Sequence, residues 1–334
     1  MSALQVSWFL LIGILLAGYA VLDGFDLGVG FWHLFARKDQ DRRVFMKAIA
    51  PVWDGNEVWL LTGGGAIFAA FPPVYACVFS GFYLALMLVL LGLILRATAL
   101  EFRGQLEAPA WRRGWDVAFS LGSVIPALLF GVAVGNLVRG LPLDESGYYA
   151  GGFFDLLNPF ALLVGVTSVA MFATHGALYL AMKTEGDLAK RARTWAGRAW
   201  IAYAVLFLVV STWSLVAHQR GGVAVPILAT VVAAGGIYAV RKFNASGSTG
   251  RAFVASSAAI VALLGAVGAT LFPNLVPASN DSALSLTVFN ASSSQNTLTV
   301  MLILALVGMP VVIGYTVYIY RTFRGTVTAS DEGY

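Results

Sequence analysis

Long apolar runs, separated by short and mostly basic polar stretches, make up most of this chain. A helix needs about 20 apolar residues to cross the hydrocarbon layer. Nine runs qualify, at about 6–34, 51–71, 74–95, 115–138, 159–182, 200–217, 223–240, 253–271 and 297–320. The pattern predicts an all-α polytopic membrane protein with about nine transmembrane helices. The second run is the weakest, because acids and the glycines at 63–65 lower its hydropathy. Without it the count is eight, and both termini share one side.

The polar stretches carry their own signals. Residues 141–158 are rich in Gly and Tyr and include Asp144, Glu145 and Asp155. Residues 272–296 hold no basic residue and many small polar ones, too polar to span, and their Ser-Ser-Ser-Gln run is a candidate cap for the last helix. The whole of 1–334 reads as one integral membrane domain. It consists of a first helix and two four-helix groups, about 51–182 and 200–320, with a polar tail at 325–334. The N-terminus lacks a basic stretch and a small-residue cleavage site, so the first run is expected to stay as a span.

Composition agrees with a lipid solvent. Of 334 residues, 59% are hydrophobic and 11% charged, against about 25% charged in soluble domains. The mean hydropathy is +0.79 and the pI about 9.2. The basic pI does not indicate nucleic acid, because the cations sit in short loops where they set membrane orientation. With nine spans and the N-terminus outside, all but Arg139 and Arg220 of the 21 basic residues fall on the cytoplasmic side, and so does the C-terminus. The single cysteine, Cys77, excludes an internal disulfide and a cysteine-based metal site.

On this topology the acids become informative. Asp23 and Asp26 lie three residues apart in the inner half of the first span. Asp54 and Glu57 are spaced alike near the inner end of the second. Residues three apart share a helix face. Arg96 and Glu101 close the third span, and Asp116 opens the fourth, so all seven groups are expected at one depth. Intramembrane carboxylates are costly and are functional by default. Asp23, Asp26, Asp54, Glu57, Glu101 and Asp116 are therefore candidates for a proton path, with Arg96 as charge partner. The bland alternative is an ion-pair and capping network, with Asp54 and Asp116 at helix starts.

Other residues weigh less. Gly24 and Gly28, like Gly131 and Gly135, are spaced for close helix packing. The glycines at 63–65 lack the Lys-Ser/Thr of a phosphate loop. Trp53 and Trp59 flank the second acidic pair and, with His175, are candidate cavity residues. Trp8, Trp200 and Tyr320 fall near expected membrane interfaces. His33, His175 and His218 lie at unmatched depths, which does not suit a bis-histidine haem. No metal-spaced His/Cys/Glu cluster is present, so no metal site is expected in this chain and redox centres are expected in another chain. From the residues alone, a proton-coupled secondary transporter and a purely structural subunit stay open beside proton delivery.

Several stretches carry a resemblance to a known family. They are GYAVLDGFDLGVG at 18–30, APVWDGNEVWLLTGGGAIFAAFPPVY at 50–75 and SGFYLALMLVLLGLILRATALEFR at 80–103. GNLVRGLP at 135–142, FFDLLNPFALLVGV at 153–166 and TVFNASSSQNTLTVM at 287–301 add to these. Together they closely resemble subunit II of cytochrome bd-type quinol oxidases, over nearly the whole chain. The resemblance implies a multi-pass protein of a bacterial or archaeal cytoplasmic membrane, paired with a larger subunit I. That partner would hold two b-type haems, haem d and the site of quinol oxidation, none of them ligated by this chain. The complex would reduce O₂ to water without pumping protons. Subunit II would support assembly and a proton path from the cytoplasm, with Asp23, Asp26 and Asp54 at the acidic motif positions and Arg96 and Glu101 at the end of the third span. The resemblance also leaves a place for a small accessory subunit and for a bound structural quinone or lipid. Some relatives carry Gln where Glu57 stands, so Glu57 is not expected to be an obligatory carrier. The connection at about 217–225 is short beside longer relatives.

Overall fold

The computed structural model describes residues 3–218 and 222–328. Arg220 and part of the short 217–225 connection lie outside the described residues, as does the polar tail from 329 onward. Among the described residues are eleven α-helices: α1 Ala3–His33, α2 Asp39–Ile49, α3 Trp53–Ala70, α4 Pro72–Gly81, α5 Tyr83–Phe102 and α6 Pro109–Arg139, then α7 Pro159–Lys183, α8 Gly186–Ala217, α9 Ala224–Ala245, α10 Thr249–Leu271 and α11 Gln295–Thr322. Local chemistry sets several of their starts. Proline, whose missing N–H is no loss at a helix start, opens α4, α6 and α7. Asn158 caps α7 by accepting from Ala161 N at 3.0 Å. Ser294, from the serine run, caps α11 by accepting from Thr297 N at 3.2 Å.

Eight of these helices are long and apolar enough to cross a membrane. α3 is not among them, because Asp54, Asn56, Glu57 and four glycines dilute its hydropathy. It nevertheless runs along α1 for its full length. Asn56 near its start reaches Asp26, Trp59 lies against Gly18, and Gly63 meets Leu16. At its far end the carbonyls of Ala69 and Ala70 accept from Ser293 at 2.6 and 2.8 Å. The run expected at 74–95 is two helices, broken at Phe82, and the apolar segment that meets the criterion starts at Tyr83. The Tyr149 ring packs where a side chain at Gly81 would stand. α6 and α8 begin well before their apolar runs, at Pro109 and Gly186.

α1 is the hub, packing against α3, α6, α7, α10 and α11. Its glycines permit this. A side chain at Gly28 would run into the backbone of Phe172 and Gly176, and one at Gly24 into the Phe172 ring. Gly131 and Gly135 serve α6 against α7 in the same way. Phe25 stacks on Tyr179 with ring centres 3.9 Å apart, and the Tyr179 hydroxyl donates to the Ala48 carbonyl at 2.9 Å. That contact holds α2, which is not long and apolar enough to span, beneath the bundle.

At the opposite end the two long loops close on each other. Leu141 bridges to Ala278, and Asn280 exchanges hydrogen bonds with the Leu143 backbone. A short antiparallel pair, β1 Asn274–Val276 and β2 Leu286–Thr287, lies within the second loop. Trp8 sits here, but it is buried rather than interfacial: it is 3% exposed and donates to the Leu298 carbonyl at 3.0 Å.

Candidate functional site

α1 presents Asp23 and Asp26 on one face, and both are completely buried. Their partners differ. Asp23 meets Arg96 of α5 in a forked pair, with Nη1 donating to Oδ2 at 3.0 Å and Nη2 to Oδ1 at 2.7 Å. Arg96, also fully buried, donates from Nη2 to Glu57 of α3 as well. The planar fork of Arg matches a carboxylate in two places. One buried guanidinium therefore ties α1, α3 and α5 together.

Among the described residues no cation forms an ion pair with Asp26. Its Oδ2 accepts from Asn56 Nδ2 at 2.8 Å, and the same amide nitrogen lies 3.1 Å from the Leu22 carbonyl. Asn56 Oδ1 in turn accepts from the Tyr320 hydroxyl at 3.0 Å, near the end of α11. Oδ1 of Asp26 is buried with no hydrogen-bond partner. An unpaired buried carboxylate oxygen is expensive to leave without a partner.

A cavity of about 410 Å³ opens beside this chain of contacts. Its lining includes Trp53, Asp54, Asn56, Glu101, Tyr315 and Tyr320. Asp54 and Glu101 are exposed, and Asp26 is one hydrogen bond behind the Asn56 wall. Trp53 and Glu101 also line a second cavity, of about 570 Å³, with Arg43, Lys47, Arg103 and Arg112. Asp54 lies in the first turn of α3, but Val52 holds the cap position, so the capping expected of Asp54 is not what the structure has.

Asp116 belongs elsewhere. α6 starts at Pro109, so Asp116 lies in its third turn rather than at its head. It accepts from Arg42 at 2.8 Å and from the Arg103 guanidinium, and its Oδ1 lies 2.6 Å from His33 Nε2. Arg103 continues to Asp39 at 2.6 Å, and Asp39 also meets Arg43 at 2.9 Å. The seven ionisable groups expected at one depth fall into separate clusters. Asp23, Glu57 and Arg96 form a triad, Asp26 lies beside it, Asp54 and Glu101 line the cavity, and Asp116 anchors a separate network under α2. In that network burial pushes the Asp39 carboxyl up, but the hydrogen bond from Arg103 and the charges of Arg103, Arg43 and Arg112 outweigh it and hold it below the usual range.

The remaining candidates pack in the core. His175 is fully buried and stacks on Phe253 with ring centres 4.4 Å apart. A carbonyl only accepts, so Nε2 donates to Val21 O at 3.0 Å, which leaves Nδ1 to accept from the Ser256 hydroxyl at 3.0 Å. Both its nitrogens are therefore in use. Trp59 packs on Gly18, and its indole nitrogen is buried without a hydrogen-bond partner. Among the described residues no three His, Cys, Asp or Glu side chains gather to hold a metal ion.

Two residues of the site escaped the sequence reading. Asn56 is neutral, yet a polar amide between two acids in an apolar run was an available signal. Tyr320 looked like an interface residue, and nothing in its neighbourhood along the chain points to Asn56, 264 residues away.

Comparison with known proteins bears on the whole chain. The family described as "Cytochrome bd terminal oxidase subunit II" matches residues 4–323. "Cytochrome bd-I ubiquinol oxidase subunit 2" of Escherichia coli (strain K12) is 39% identical over 366 residues, covering 99% of this chain and 97% of the relative. "Cytochrome bd ubiquinol oxidase subunit 2" of Bacillus subtilis (strain 168) is 38% identical, covering 99% of each. The solved bd oxidase from Geobacillus thermodenitrificans superposes with a TM-score of 0.75 over 96% of this chain and 99% of that one. At 17% identity that match speaks for the fold alone. With one family spanning almost every described helix, and two full-length relatives near 40% identity, this chain belongs to the cytochrome bd terminal oxidase subunit II family.

Proposed function

We propose that this chain is subunit II of a membrane quinol oxidase that reduces O₂ to water. It works beside a larger subunit I that carries two b-type haems and haem d and oxidises quinol. Those haems supply the oxygen chemistry, and this chain supplies structure and a cytoplasmic route for protons. The arrangement has nine spans, with α3 as the second, the N-terminus outside and the C-terminus in the cytoplasm of a bacterial inner membrane. The charge asymmetry of the loops supports that orientation.

One observation carries the proton reading: the cavity lined by Asp54 and Glu101 ends on Asn56, which bonds to a buried carboxylate with a free oxygen. Asp54 and Glu101 collect protons at the mouth, and Asp26 receives them inside. A specific observation favours a structural role for the rest. Asp23 is saturated by Arg96, and Asp116 by three partners, so these acids hold helices together.

The test is Asp26→Asn in the assembled complex. Expected is a fall in quinol-driven O₂ reduction of about tenfold or more, the order for losing a proton-transfer group. Haem absorbance and yield stay near wild type. Parallel loss of haem and complex would instead make Asp26 a purely structural residue.

A further inference from the structure

We propose that Asn56 and Tyr320 are positioning residues that form a gate between the cavity and Asp26, opened by displacement of the inner end of α11. The proposal rests on the proton reading above for its purpose, though its geometry stands by itself.

The first argument is chemical. Asn56 Nδ2 donates to Asp26 while its Oδ1 accepts from Tyr320. A carboxamide in that state cannot pass a proton on. It would have to take a proton on oxygen and lose one from nitrogen, leaving the unfavourable imidic acid form. Asn56 is therefore a plug, and a proton reaches Asp26 only when the amide swings away and water takes its place. Asn56 is 1% exposed, so the plug fits closely.

The second argument is mechanical. Tyr315, Ile319, Tyr320 and Phe323 put the α11 end into the cavity wall. Of the 28 residues of α11 only Leu298 is buried. Met301, Leu302, Ala305, Met309 and Ile319 pack partly buried against the bundle, and hydrogen bonds fasten the two ends of the helix. The outer end is held by the Ser294 cap and by Trp8 on the Leu298 carbonyl. The inner end is held by Tyr320 on Asn56 and by Lys183 Nζ on the Phe323 carbonyl at 2.6 Å. Just beyond it, Val327 N donates to the Lys183 carbonyl at 2.7 Å. A lightly packed helix with end latches is the kind of element that opens locally. Breaking the Tyr320 latch frees the Asn56 oxygen, and the amide is then held only from its nitrogen, by Asp26 and the Leu22 carbonyl.

The titratable and charged groups around Asp26 are Asp23 on its own helix, Glu57 of α3, Arg96 of α5, Tyr179 of α7 and Tyr320 of α11. Only Tyr320 reaches it through Asn56.

The experiment measures access instead of turnover. The intact complex is treated with a water-soluble carbodiimide and glycinamide, and modification of each carboxylate is followed by mass spectrometry. Wild type should be modified quickly at Asp54 and Glu101 and slowly at Asp26. In Tyr320→Phe and in Asn56→Ala, Asp26 should be modified at least several-fold faster, with Asp54 and Glu101 unchanged. Wild-type rates at Asp26 in both variants would overturn the gate. So would acceleration that includes Asp23, because opening would then be global. If Asp26→Asn leaves O₂ reduction intact while the access pattern holds, the proton reading fails and the gate stands.

Discussion

Two buried ionic regions at one end of this bundle look alike in composition and differ in what they leave unfinished. Under α2, Asp116 is met by His33, Arg42 and Arg103, and Asp39 by Arg43 and Arg103. Every carboxylate there has a cation. Beside the cavity, one guanidinium, Arg96, serves Asp23 and Glu57, while Asp26 has only an amide and a bare oxygen. Buried charges are tolerated when paired and hydrogen-bonded. A network in which every carboxylate meets a cation fixes geometry. A partly satisfied one holds a site ready for a proton or a water. On the proposed reading, this difference separates holding from transfer more sharply than burial does, since Asp26 and Asp116 are both almost wholly buried.

The largest break in this comparison comes from Arg96→Leu. Losing the only cation of the triad leaves Asp23 and Glu57 facing each other in the interior. Removing one partner of a buried pair costs about 3–5 kcal/mol. The expected outcome is loss of assembled, detergent-stable complex, read by size-exclusion yield and thermal midpoint. A stable complex with Arg96→Leu would mean that the triad does not hold α1, α3 and α5 together.

Asp116→Asn should do less. It removes a charge shared by three donors, and Arg42 is 27% exposed and can turn to water. About 1.5–3 kcal/mol is at stake, the range for a hydrogen bond to a charged group. The thermal midpoint should fall while O₂ reduction per assembled complex stays at wild type. A selective loss of turnover would move Asp116 from the holding network to the transfer side.

Hydropathy made the eight long apolar helices legible, since it is written along the chain in windows of about 20 residues. Local chemistry was legible where it acts within a few residues, as in the serine run that caps α11. Pairing was not. Arg96 and Asp23 are 73 residues apart, and Asp116 and Arg42 are 74 apart. An expected depth groups side chains along the chain, but it does not say which helices are neighbours. That is why depth alone groups Asp116 with Asp23, although His33 at the end of α1, Arg42 of α2 and Arg103 just after α5 are its partners. Trp8 shows the same limit, because an indole near a helix start reads as an interface anchor until a loop folds over it.

The smallest effect sharpens the outer edge of the holding network. Asp39 is 43% exposed, and Arg103, Arg43 and Arg112 surround it. These cations keep its carboxyl below the usual value despite the opposing effect of burial. A depressed carboxyl contributes stability that is fully present above its unfolded pKa, about 3.9, and is lost as pH falls through the lower folded value. In Asp39→Asn, the gap in thermal midpoint to wild type should therefore be constant from pH 7 to about 5 and close below about pH 4. Exposure limits the gap to the scale of a surface ion pair, about 0.2–1 kcal/mol, and 0.5 M salt should shrink it further. A gap that survives both acid and salt would show that Asp39 acts through packing of α2 and not through charge, and the contrast between the two regions would then begin at Asp116.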